Sequence, residues 1–87
     1  MKELYIVAKP VMFNYSGAIV EDGYLVKEVS VIPTEPVALN NYAAENDISE
    51  IVLCGNLNYT SGLKRLLEKA PTQYNRKINV RLEEVKG

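Results

Sequence analysis

Ser61 and Lys64 stand three residues apart, the spacing at which a lysine one helical turn on can act as base to a serine nucleophile. That chemistry needs a neutral amine, which a lysine offers near pH 7 only when it is desolvated or crowded by another cation. Lys64 falls on the polar side of an amphipathic stretch, where nothing is expected to desolvate it, and the spacing reads as a coincidence. Cys54 is the single cysteine, and the chain has no histidine. Ser–His and Cys–His pairs, imidazole metal ligands and an imidazole pH switch are therefore excluded. An intramolecular disulfide and a Cys/His zinc site are excluded as well. Asn14-Tyr15-Ser16 and Asn58-Tyr59-Thr60 match the N-glycosylation pattern, but no apolar leader accompanies them and both read as chance. No catalytic residue, metal ligand or cofactor site is expected.

What remains is chemistry of recognition. The segment Gly55 to Gly62 carries Asn56, Asn58, Tyr59, Thr60 and Ser61 between an apolar run and an amphipathic one. Read as a loop at a strand's carboxyl end, it offers amide N–H groups and two hydroxyls to an anion, and Tyr59 as a stacking ring. Its plainer reading is a helix cap with Asn58, Thr60 or Ser61 as the capping residue. The net charge of −1 hides an uneven distribution. Residues 1–63 carry 3 basic and 8 acidic side chains, whereas residues 64–81 carry Lys64, Arg65, Lys69, Arg76, Lys77 and Arg81 against Glu68 alone. A basic end on an acidic domain suits nucleic-acid phosphates, an acidic protein surface, or a second copy of the same chain. Six tyrosines accompany one phenylalanine and no tryptophan. Tyr5 and Tyr42 are expected in or beside the core, while Tyr15, Tyr59 and Tyr74 fall in expected loops, where tyrosine often serves an interface.

The elements that must position these residues follow from apolar patterning. Leu4 to Ala8 is a continuous apolar run of the kind a strand covered on both faces needs. Val11 to Tyr15 reads as an irregular extension of that strand, and Asn14 to Gly17 as a turn. Asp22-Gly23 sits between Ala18–Glu21 and Tyr24–Lys27, which spells a two-residue hairpin pairing Glu21 with Tyr24 and Ile19 with Val26. That second strand runs on to Ile32. Thr34 as N-cap with Pro36 in the first turn opens a helix whose stripe is Ala38, Leu39, Tyr42 and Ala43. Ile51 to Cys54 reads as the central strand. Leu63, Leu66, Leu67 and Ala70 mark a second helix, stopped by Pro71, and Ile78, Val80 and Leu82 alternate with polar residues along an edge strand, 78–85.

The order is β-β-β-α-β-α-β in one α/β domain spanning residues 1–87, with a single five-stranded mixed sheet and two helices. That order resembles the core of the ribonuclease H-like superfamily, and the resemblance implies a sheet order of 3-2-1-4-5. Catalytic members of that superfamily hold divalent metals with aspartates on the first and fourth strands and acids on the first helix. Here Leu4 to Ala8 has no carboxylate, and the fourth strand ends Cys54-Gly55-Asn56 with an amide. A divergent metal-dependent nuclease would need Glu35, Glu45 or Asp47 to converge without a partner on the first strand. The hairpin followed by Ile51 to Asn56 also resembles short proteins of tailed bacteriophages and prophages.

The chain is thus expected to be a non-catalytic binding module, plausibly an accessory protein of a phage or mobile element, that engages a protein partner or itself through the edge strand 78–85. The alternative is a nucleic-acid binder using the basic 64–81 segment. With no run of about 20 apolar residues it has no membrane span, and an unpaired cysteine suits a reducing, cytoplasmic setting.

Overall fold

The computed structural model describes residues 1–70 and 77–85. The strands are β1 (Lys2–Val7), β2 (Tyr15–Glu21), β3 (Tyr24–Ile32), β4 (Glu50–Gly55) and β5 (Asn79–Glu84). The helices are α1 (Pro36–Glu45), between β3 and β4, and α2 (Leu57–Lys69), between β4 and β5. The sheet order is β3-β2-β1-β4-β5, the 3-2-1-4-5 arrangement expected from the resemblance. β1, not β4, is the central strand. It pairs antiparallel with β2 and parallel with β4, and β5 joins β4 in parallel.

Both crossovers, β3 to β4 and β4 to β5, run in the same direction across the sheet, so connections of one hand bring both helices to one face. Leu4, Ile6, Ile19, Ile51 and Leu53 point to that face and share a single core with Leu39 and Ala43 of α1 and Leu63 and Leu67 of α2. α1 and α2 are tied across this layer by a buried hydrogen bond, in which Asn40 Nδ2 donates to the Leu67 carbonyl at 2.9 Å. Leu67 lies in the last turn of α2, where carbonyls have no partner within the helix. Asn40 therefore satisfies a group that burial would otherwise penalise.

Asp22 and Gly23 adopt φ of 51° and 86°, the two positive angles of the type I′ hairpin, and Glu21 faces Tyr24 as expected. The expected pairing of Ile19 with Val26 is displaced by one residue. Ile19 faces Lys27, because the register shifts between Ile19 and Val20. The expected turn at Asn14–Gly17 is instead the start of β2, and Gly17 shows why a glycine is needed in a strand there. A Cβ at Gly17 would collide with the Tyr5 carbonyl of β1. The N-cap of α1 is Glu35 rather than Thr34, its carboxylate accepting from the Ala38 amide at 3.3 Å. None of the described helices is long and apolar enough to cross a membrane.

Gly17→Ala is expected to lower the unfolding free energy by about 1–3 kcal/mol, because β1 and β2 must separate to admit the methyl group. A fall in the urea midpoint at unchanged slope checks this.

Candidate functional site

The expected binding loop is largely helix. α2 begins at Leu57, so Asn58, Tyr59, Thr60 and Ser61 form its first turns. Asn56 is the N-cap, in place of the expected Asn58, Thr60 or Ser61. Its Oδ1 accepts from the Asn58 amide at 2.8 Å, and its carbonyl accepts from the Tyr59 and Thr60 amides at 3.1 and 2.9 Å. The Asn58, Tyr59 and Thr60 amides are thus already engaged. Thr60 is fully buried and donates its hydroxyl back to the Asn56 carbonyl at 3.1 Å. Nor is Tyr59 a free stacking ring: it packs against the core, and its hydroxyl shares a hydrogen bond of 2.5 Å with that of Tyr15.

Tyr15, expected in a loop and at an interface, is instead a buried residue of β2. Burial and the hydrogen bond from Tyr59 raise its phenol well above the ordinary tyrosine value. Tyr74 and Arg76 lie outside the described residues.

The basic segment divides between the two faces of the sheet. Lys64, Arg65 and Lys69 lie on α2, and Lys77 is exposed before β5. Arg81 stands in register with Val52 on the face opposite the helices. Arg81 Nε donates to Glu50 Oε1 at 2.8 Å, and Nη2 reaches Glu3 Oε2 and the Tyr5 hydroxyl, each at 3.4 Å. Glu83 completes the ring of acids at 3.8 Å. These partners hold the guanidinium firmly protonated, with the Glu50 hydrogen bond the leading cause. Arg81 thus cross-links β1, β4 and β5 and belongs to an acidic cluster instead of a basic patch. Glu35 caps α1, and among the described residues no three Cys, Asp or Glu side chains gather where they could hold a metal ion.

The feature that sequence reasoning missed is this helix-free face. Tyr5 and Val7 of β1 sit in register with Ala18 and Ser16 of β2, and Cys54 of β4 lies beside Val7. With Glu28 and Ser30 of β3 they line a shallow trough of about 640 Å³. Small side chains form its floor, and Tyr5 and Glu28 flank it. Val52, between Tyr5 and Arg81 in register, is fully buried, whereas Val7 is 41% exposed. Burial and the nearby Glu83 carboxylate raise the Cys54 thiol, so it is a lining group and not an activated nucleophile. At the same end of the sheet, the connection from β1 to β2 presents Val11 and Phe13, 103% and 97% exposed, with Val11 in a left-handed conformation at φ 56°. The available signal was the alternation of Ser16 and Ala18 with Tyr15, Gly17 and Ile19, which separates a small-residue face from a core face.

No protein-family model, curated protein or solved structure matches the chain.

Tyr59→Phe is expected to cost about 1–3 kcal/mol by stranding the buried Tyr15 hydroxyl. Because the folded state raises the Tyr15 phenol, the stability linked to it is fully present below about pH 10 and is lost as the pH climbs toward the folded value. Absorbance titration of the phenolates should show Tyr15 ionising last in the native protein, after Tyr42, which burial also raises, and all tyrosines ionising together once urea unfolds it.

Proposed function

We propose that the chain is a non-catalytic protein-binding module whose docking surface is the helix-free face of the sheet. The observation that carries this reading is a mismatch between strand and cover. Leu4 to Val7 and Ile51 to Cys54 have the apolar runs of strands covered on both faces, yet among the described residues the helices lie on one face. A domain of this kind buries the second face against something else. The trough floored by Ser16 and Ala18 gives a partner's side chains room, and the connection from β1 to β2 adds the exposed apolar side chains of Val11 and Phe13.

Edge pairing is the weaker route. The outer strand β5 carries Arg81, Glu83 and Glu84, charges that discourage a further strand. A nucleic-acid role would rest on Lys64, Arg65 and Lys69 of α2 together with Lys77, without Arg81 and without Tyr59 as a stacking ring.

A photo-crosslinking residue at Val7 or Phe13 should yield adducts with a protein in bacterial lysate, whether foreign or a second copy. The same residue at Lys77 should yield none. Absence of protein adducts at Val7 and Phe13 overturns the reading.

A further inference from the structure

The helix-free face is rich in acids: Glu3, Glu50 and Glu83 gather around Arg81, and Glu28 of β3 lines the trough on the far side of β1. The outward side of α2 has the opposite character. Arg65 and Lys69 flank Leu66, which is 56% exposed. Between them Gly62 occupies the helix interior, where glycine is disfavoured. A Cβ at Gly62 would meet nothing within 4 Å, so packing inside the chain gives no reason for the missing side chain. The result is a notched depression lined by Asn58, Gly62, Arg65, Leu66 and Lys69. Its length also suits a sheet: the 13 residues of α2 and the six of β1 and β4 each span about 20 Å.

We infer that the chain associates head to tail, the outward side of α2 in one copy lying along the helix-free sheet face of the next. Opposite charge draws the two surfaces together, Gly62 lets the helix backbone approach, and Leu66 enters the trough over Ser16 and Ala18. The neighbour's α2 then completes a helix–sheet–helix sandwich that one chain leaves half built. The contact uses two different patches, so it extends into short open oligomers or closes as a ring, and it does not stop at a twofold dimer. This rests on the reading of the helix-free face as a docking surface and names its occupant.

Sedimentation velocity on the intact chain tests it. In about 25 mM salt the weight-average sedimentation coefficient should rise with concentration up to about 1 mM, and the association should weaken at least tenfold in about 500 mM salt. Arg65→Glu with Lys69→Glu spoils the helix surface, and Ser16→Arg blocks the sheet face. Each variant alone should stay monomeric, while their equimolar mixture should form a one-to-one complex from the two intact surfaces. Gly62→Leu should weaken association at least tenfold while leaving the thermal midpoint unchanged or higher, which separates contact from folding. A monomer at every concentration, a mixture that stays monomeric, or association that survives in each variant alone overturns the inference. If foreign proteins alone crosslink at Val7 and Phe13, the docking reading stands and the self-association falls.

Discussion

Two connections of one hand, crossing the sheet in the same direction, set most of what this molecule does with its surface. β3 leads over β2 and β1 to β4, and β4 leads on to β5, so α1 and α2 arrive on the same side. One side of the sheet then holds the whole core, from Ile32 through Leu4 and Ile51 to Leu67. The other side carries small residues such as Ser16 and Ala18 beside Tyr5, Val7 and the Arg81 cluster. Among the described residues no further helix covers it.

Within this arrangement, a few polar ties decide local geometry where apolar contact alone would not. Asn40 closes α1 onto the end of α2 by taking up the Leu67 carbonyl. The Tyr15–Tyr59 pair joins the start of β2 to the first turn of α2 and settles the hydroxyl of a buried ring. Arg81 gathers Glu3, Glu50 and Tyr5 across three strands and lies in register with buried Val52. Tyr15, Tyr59 and Arg81, each expected at a binding surface, are held in these ties. Consequently, the groups most capable of chemistry are spent on architecture, and the surface that remains is defined by shape, small residues and charge.

Legibility from sequence followed the range of the interactions. The hairpin at Asp22-Gly23, the Pro36 helix start and the apolar alternation of β5 are set by neighbours along the chain, and each was readable. The segment Asn56 to Ser61 was misread as a loop because its residues are polar. The Asn56 cap and the burial of Thr60 against the sheet decide the helix instead. Tyr15 was misplaced for a related reason: its flanking Asn14 and Gly17 look like a turn, yet Gly17 answers to the Tyr5 carbonyl of another strand. The apolar run of β1 implied two covered faces, and the absence of a second cover became visible only once both helices had a side.

By itself, the sequence determined the element order, the mixed sheet and the chemistries that are missing, because composition and local periodicity are properties of a few neighbouring residues. It also showed that the near-neutral total of −1 is a cancellation between an acidic stretch and a basic one. Tertiary structure alone decided where those charges lie. Alternation along β5 sent Arg81 to the face opposite α2, where the carboxylates of β1 and β4 enclose it, while Arg65 and Lys69 stayed on the outside of the helix. A linear charge count cannot make that separation, because strand pleat and crossover hand place residues of one segment on opposite sides of a sheet.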